Sequence, residues 1–225
     1  MRTALDADMV LSAADFGSVQ AAYAYVRDEL DLAGHTVQIN TLDAAGVVLE
    51  GQPTGYGRVL IRGAGGYPGQ TTCNFYLCEG AQAVFDNMTL ASDGDGLAVS
   101  RGVAWLKEVW VGQCLVGLHA CGAQSLIRGV GAVTTLHATR SKIQFNSENE
   151  ANIELPCELR ISGGPSWEVY LQADGGSVVD VTGATITKAS ERGRSAAWYD
   201  CGFVRLGPGM TWSSLPGNGE TDSDR

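Results

Sequence analysis

The chain has 225 residues, of which 30 are glycine, 44% are hydrophobic and 18% are charged. This length suits one elongated domain with a substantial core, and many glycines with few charges favour short strands and turns over helices or disorder. The net charge of −10 and the pI near 4.7 argue against a nucleic-acid partner, because phosphate binding relies on Lys and Arg.

The amino-terminal segment 1–17 is acidic where a secretion signal would be basic, and it has no uninterrupted apolar run. We expect it to be a leader or attachment segment of a protein that is made in a host cytoplasm without a signal peptide. No stretch of the sequence predicts a membrane span. Residues 18–31 carry apolar side chains at helical spacing behind Ser18, an N-cap residue, and predict one amphipathic helix.

Between residues 32 and 206, short apolar runs alternate with turn-forming residues at nearly constant spacing. One series of run centres has intervals of 18, 16, 18 and 18 residues, and a second has intervals of 18, 17 and 18. The first series is Val109, Ile127, Ile143, Ile161 and Val179, and the second is Leu118, Leu136, Ile153 and Leu171. Two strand positions that share one period, without helices between them, predict an all-β parallel β-helix with coils of about eighteen residues.

A β-helix exposes an open apolar cross-section and strand edges at both ends, so it needs caps. We assign residues 18–31 as the amino-terminal capping helix and residues 32–206 as the β-helix. The periodicity weakens at 188–197, which indicates an inserted loop. Residues 207–225 are expected to form a carboxy-terminal tail that is partly disordered.

Both ends of the sequence resemble a known family. The segment DFGSVQAAYAYVRDELDLAGHTVQINTLDAAGVVLEG, followed by GRVLIRGAGG, resembles the amino-terminal part of phage-encoded pectate-lyase-like β-helices. The ending FVRLGPGMTWSSLPGNG is similar to the strand and LPGxxxG ending of many virion proteins of that kind. The resemblance implies a right-handed β-helix that forms homotrimers on a virion surface, as a tailspike, tail fibre, head spike or decoration.

Only about seventeen residues precede the predicted helix, which is too few for a separate particle-binding domain of ordinary size. We therefore expect attachment through the segment 1–17, the cap or the flank of the β-helix. This favours a small accessory on the virion surface, such as a capsid decoration, a neck or a collar protein. The expected partners are two further copies of the chain and other virion proteins.

Catalysis by a glycoside hydrolase needs two facing carboxylates, about 5–10 Å apart. The candidate pairs are Asp93 with Asp95, Glu148 with Glu150, and Glu154 with Glu158. The first two pairs lie in turn-like segments, where solvated carboxylates are ordinary. A lyase would need clustered acidic ligands for calcium beside a basic residue, and the sequence shows no such cluster. We predict a non-enzymatic protein with no catalytic residue and no cofactor.

His119 and His137 each follow a predicted inward leucine and lie 18 residues apart, and Glu154 and Gln172 continue that spacing. This arrangement predicts an outward polar ladder on successive coils. Two histidines and Glu154 in such a ladder suit a metal ion. Polar ladders also stack ordinary β-helix coils, however, and no metal site is predicted.

The sequence contains six cysteines and no Cys-x-x-Cys pair, so it predicts neither a zinc ribbon nor a thioredoxin-like motif. The six are Cys73, Cys78, Cys114, Cys121, Cys157 and Cys201. Buried free thiols suit a protein made in a cytoplasm, whereas an extracellular particle favours disulfides, and both alternatives stay open.

Aromatic residues support an alternative function. Strand alternation in VAWLKEVWV predicts that Trp110 points inward with Leu106 and that Trp105 points outward, unless a bulge intervenes. Exposed tryptophan suits either sugar stacking or a protein interface. The alternative is thus a carbohydrate-directed tail fibre, tailspike or glycan depolymerase that acts on a host surface glycan.

Overall fold

The computed structural model describes residues 2–135, 139–162, 166–187, 192–217 and 219–223. These residues form one α-helix, α1 (Val19–Glu29), and three short 3-10 turns at Ala13–Phe16, Pro68–Gln70 and Trp212–Ser214. The strands are β1 (Thr3–Ala4), β2 (Met9–Ser12), β3 (Leu30–Asp31), β4 (Thr36–Thr41), β5 (Ala44–Glu50), β6 (Arg58–Gly63), β7 (Thr72–Cys78), β8 (Gln82–Asp86), β9 (Met88–Leu90), β10 (Asp95–Ser100), β11 (Val103–Val111), β12 (Val116–Cys121), β13 (Leu126–Thr135), β14 (Thr139–Glu148), β15 (Asn152–Glu154), β16 (Glu158–Ile161), β17 (Ser166–Ala173), β18 (Val178–Asp180), β19 (Thr185–Thr187), β20 (Arg192–Trp198), β21 (Phe203–Arg205) and β22 (Thr221–Ser223).

The strands stack in parallel as a β-solenoid of about eight turns, as the sequence predicts. The coil has three faces. Face A consists of β2, β4, β6, β8, the first halves of β11 and β13, β15, β18 and β21. Face B consists of β5, β7, β10, β12, β14, β17, β20 and β22. Face C consists of β9, the second halves of β11 and β13, β16 and β19.

The core is built from columns of apolar side chains, because each inward residue lies on its counterpart in the neighbouring coil. One column on face B is Val47, Phe75, Leu97, Leu118, Phe145, Leu171 and Ala196, all buried. Its intervals are 28, 22, 21, 27, 26 and 25 residues by subtraction. The predicted coil length of about eighteen residues is therefore wrong.

The eighteen-residue spacing has a physical origin in the three faces. Val109 lies on face C, Ile127 on face A, Ile143 on face B, Ile161 on face C and Val179 on face A. Each step in this series advances two faces instead of a full coil. Successive faces follow one another after roughly nine residues, so two of them reproduce the spacing.

The second predicted series behaves in the same way. Leu118 and Leu171 lie on face B, and Ile153 lies between them on face A. Leu136 lies outside the described residues. Hydrophobic spacing thus identified the solenoid correctly while joining positions that do not stack on each other.

Helix α1 begins where the sequence predicts, with the Ser18 hydroxyl accepting a hydrogen bond from the backbone N–H of Ala21 at 3.0 Å. It ends at Glu29, and residues 30–31 form β3 instead of a last helical turn. The helix packs on β4 and on β5, the first strand of face B. Its buried Tyr23 donates a hydrogen bond to the carbonyl of Gly51 at 2.9 Å, and burial raises the pKa of this phenol to about 12.

The expected leader and tail both contribute strands. Within residues 1–17, β1 pairs with β3 and β2 pairs with β4, since the alternation in MVLS suits the edge of face A. Within residues 207–225, β22 pairs with β20, Leu215 is fully buried, and Trp212 stacks on Trp198 with ring centroids 5.0 Å apart. The loop expected at 188–197 includes part of β20, and residues 188–191 lie outside the described residues.

The corner between faces A and C changes the direction of one tryptophan. The register of β11 with β13 shifts between Leu106 and Glu108, so alternation breaks there. Val109 is consequently buried and Trp110 faces outward, where its ring lies 5.9 Å from that of Tyr67. The inward direction predicted for Trp110 is wrong because this bulge intervenes.

Candidate functional site

A polar cluster lies on the outer surface of face B, across three successive coils. Asp95 begins β10, His119 and Cys121 lie on β12, and Glu148 ends β14. Strand alternation places His119 and Cys121 outward because the intervening residue of β12 is buried in the core. Cys121 is the direct cross-strand partner of Glu148.

His119 lies between two carboxylates from the coils on either side of it. Its Nδ1 is 2.8 Å from Asp95 Oδ2, and its Nε2 is 3.5 Å from Glu148 Oε2. Nε2 is buried and has no hydrogen-bond partner within the described part of the chain. Burial by itself would lower the pKa of His119, but Asp95 and Glu148 outweigh it, and the net pKa is raised.

Asparagines hold the other two members of the cluster. The Asn146 amide donates to Glu148 Oε1 at 2.6 Å, and the Asn149 amide lies 3.6 Å from Cys121 Sγ as a donor. Asn149 follows β14 in a left-handed conformation, with φ of 54°, which turns the chain back towards Cys121. Potential ligand atoms of His119, Cys121 and Glu148 all lie within 4.8 Å of one another.

The predicted polar ladder is only partly present. His119 and Gln172 do share one column on face B, with Asn146 between them. Glu154 does not belong to it, because the true coil length places Glu154 on face A, where its carboxylate lies 3.5 Å from Arg128. His137 lies outside the described residues.

The structure also rearranges the candidate carboxylates. Asp95 and Glu148 come from different predicted pairs, yet they flank the same imidazole. Glu154 and Glu158 lie on faces A and C, and Glu158 instead binds Arg160 at 2.6 Å. Asp95, Cys121 and Glu148 were not expected to meet, since their separations of 24 and 27 residues from their partners on adjacent coils become visible only with the true coil length.

All six cysteines are free thiols in the structure. Cys73, Cys114 and Cys157 are buried, and burial raises the pKa of the first two thiols to about 11 and that of Cys157 to about 12. Cys78 and Cys121 are half-buried, and Cys201 is exposed.

Face A carries an apolar strip on its outer surface, where a solvated sheet would alternate apolar with polar residues. Adjacent outward columns of the strands supply it. The strip consists of Leu60, Val84, Trp105, Val103, Leu126, Val178 and Phe203. Asn152 interrupts it once, and Arg128, Glu154, Asp180 and Arg205 form a charged column beside it.

A second recess lies near the amino terminus. It has a volume of about 560 Å³ and is lined by residues 12–20, before and at the start of α1, and by residues 40–47. Leu42 projects there with 70% of its surface exposed.

No family model, curated protein or solved structure matches this chain. Within the described residues, no helix is both long and apolar enough to cross a membrane.

Proposed function

We propose that this chain is a non-enzymatic structural protein of a bacteriophage virion. In this proposal, three copies associate through their face A strips into a homotrimer that decorates or stabilises the particle surface, at the capsid, neck or collar. The apolar strip on face A is the observation that supports the proposal. Solvent-exposed sheets rarely carry such a continuous series, and large apolar patches mark sites of association.

The strip has the dimensions of a subunit interface. About eight coils at a spacing of roughly 4.8 Å make a face some 35 Å tall, and strands of this length make it roughly 17 Å wide. The resulting area of roughly 600 Å² approaches the ~800 Å² that each partner buries in a standard interface. The charged column beside the strip suits the polar rim of such an interface.

A further copy of the chain is the occupant that best fits a flat strip of this kind. Each copy offers the same tall, straight face, so three copies meet around an axis parallel to the solenoid without any change in shape. The sequence resemblance to trimeric virion β-helices supports the same arrangement. The remaining surface then faces other virion proteins.

Native mass spectrometry of the full chain tests this arrangement. We expect a trimer of about 71 kDa, three times 23.6 kDa. Phe203 is 63% exposed, so replacing it does not disturb the core of one chain. Phe203→Lys and Leu126→Lys should yield monomers, whereas Thr187→Lys on face C should stay trimeric. A monomeric wild-type protein at micromolar concentration would contradict the proposal, as would a trimer that survives both face A variants.

The location on a particle needs a separate experiment. Cryo-EM of the purified virion should show density for the solenoid on its surface, in a copy number that is a multiple of three. Absence of the chain from purified particles would rule out the virion role while leaving the trimer intact.

The aromatic pair Tyr67 and Trp110 favours a second function, which is binding of a host surface glycan. Tyr67 is 51% exposed, and both rings face outward on the side of face C. Aromatic faces of this kind stack on sugar rings. Binding on a glycan array that disappears in Tyr67→Ala together with Trp110→Ala would support this function, and loss of no signal in that variant would exclude this pair as the glycan site.

A further inference from the structure

We propose that His119, Cys121 and Glu148 bind one divalent transition-metal ion, with the donor preference of Zn²⁺, on the outer surface of face B. Two of these ligands come from β12 and the third from β14 on the next coil. A bound ion therefore ties two neighbouring coils together. The site lies away from the face A strip and does not depend on the proposed trimer.

The three side chains supply the donor types that zinc uses in proteins, an imidazole nitrogen, a thiolate sulfur and a carboxylate oxygen. Their ligand atoms lie within 4.8 Å of one another. In a tetrahedral zinc site with bonds of about 2.0–2.3 Å, ligand atoms lie roughly 3.5 Å apart. Small side-chain rotations therefore close the site, and all three residues are half-exposed, so an ion reaches them from solvent.

Each ligand is also held at its other polar atom, or beside its donor atom, by a neighbour that is not itself a ligand. Asp95 binds His119 at Nδ1 and leaves Nε2 directed towards Glu148. Asn146 occupies Glu148 Oε1, leaving Oε2 free to face His119. Asn149 contacts Cys121 Sγ. Metal sites typically have such outer partners, above all a carboxylate on the far nitrogen of a histidine ligand.

The buried Nε2 of His119 is the second observation that points to an ion. It has no hydrogen-bond partner in the described part of the chain, and Glu148 Oε2 is 3.5 Å away. A buried polar atom without a partner is costly, and coordination removes that cost. Binding converts the Cys121 thiol to a thiolate, its proton passes to solvent, and water completes the fourth position.

A plain ion pair is the competing explanation, with a charged His119 between Asp95 and Glu148. That arrangement assigns no role to Cys121. Dependence on the thiol therefore separates the two explanations.

Cobalt titration of the metal-stripped, reduced full chain provides the test, since Co²⁺ reports its ligands by absorption. We expect one Co²⁺ per chain, a thiolate-to-cobalt charge-transfer band, and displacement of the cobalt by Zn²⁺. Cys121→Ser should abolish the charge-transfer band and weaken zinc binding by at least about 100-fold. Asp95→Asn, which alters only the outer partner of His119, should weaken it by about 10–100-fold.

Matched controls come from residues of the same types elsewhere in the chain. Cys201→Ser removes the exposed thiol, and His35→Gln removes a histidine that lies 3.5 Å from a single carboxylate, that of Asp8. Both variants should bind Co²⁺ like the wild type. Circular dichroism verifies that every variant is folded.

Wild-type protein that binds no stoichiometric Co²⁺ would overturn the proposal, and this outcome requires no variant. A cobalt spectrum without a thiolate band would overturn it as well. The proposal also fails if Cys201→Ser, and not Cys121→Ser, removes the band.

Discussion

Arg205 Nη1 lies 2.9 Å from Asp180 Oδ2, and the two residues are direct partners on neighbouring strands of face A. The same aspartate accepts a hydrogen bond at Oδ1 from the backbone N–H of Thr182 at 2.8 Å. Partial burial by itself would raise the pKa of Asp180. The Thr182 and Arg205 interactions outweigh burial, and the net pKa is lowered.

This lowered pKa predicts a specific pH dependence of stability. Because the folded-state pKa lies below the unfolded value of about 3.9, the stabilisation by Asp180 is complete above that value and is lost as the pH falls through the lowered pKa. Asp180→Asn should reduce the free energy of unfolding by about 0.5–1 kcal/mol at pH 7. In urea titrations, the difference from the wild type should vanish at strongly acidic pH. Glu168→Gln, at an exposed carboxylate, is the control, and a difference that persists unchanged into acid would contradict the assignment.

Gly129 is predicted to be intolerant of a side chain. A Cβ at this position would overlap Cys157 Sγ and lie 3.2 Å from Cys157 Cβ on the next coil. Gly129→Ala should therefore lower the free energy of unfolding by about 1–3 kcal/mol, the usual range for overpacking. Gly66→Ala is the matched control, because a Cβ there meets open space.

A double variant verifies the cause of that loss. Adding Cys157→Ala to Gly129→Ala removes the overlapping sulfur, so the two substitutions together should cost less than the sum of their separate effects. Simple additivity in urea unfolding would show that the overlap is not responsible.

The thiols should differ sharply in reactivity. Cys201 is exposed, whereas burial raises the pKa values of Cys73 and Cys114 to about 11 and that of Cys157 to about 12. At pH 8 and without denaturant, a disulfide reagent should modify Cys201 first and the three buried thiols more than tenfold more slowly. The fastest phase should be missing from Cys201→Ser. Rapid modification of all six thiols in the folded protein would contradict the burial.

The N-cap of α1 should contribute measurably to stability. Ser18→Ala removes the hydroxyl that accepts from the backbone N–H of Ala21, and it should cost about 1 kcal/mol in thermal or urea unfolding. Ser18→Thr keeps a hydroxyl at the cap and should retain most of the stability. Equal losses in the two variants would show that the cap is not the cause.

Local sequence patterns predicted the strands and the helix well. Val37 and Ile39 alternate with polar neighbours in HTVQIN, and both are fully buried on β4. Ser18 and the apolar spacing behind it located α1 to within a few residues. Alternation failed at Trp110, where the corner between two faces inserts a bulge. A bulge has no clear signal in one sequence, because it depends on how the neighbouring coil approaches.

The candidate metal site was predicted only in part. His119 was identified as an outward residue, but its supposed partner Glu154 lies on another face. The actual neighbours, Asp95 and Glu148, depend on coil lengths that vary between 21 and 28 residues. Side chains on the surface of a solenoid meet according to these lengths, so an error of a few residues in the period exchanges every partner.

The sequence by itself determined that the chain forms a parallel β-solenoid with one helix near its start, because alternation and recurring apolar runs are local properties. Only the tertiary structure decided the register between coils, since corners of different length absorb residues without changing the strands they connect. That register placed Cys121 beside Glu148, directed His119 at both Asp95 and Glu148, and aligned the apolar strip along face A.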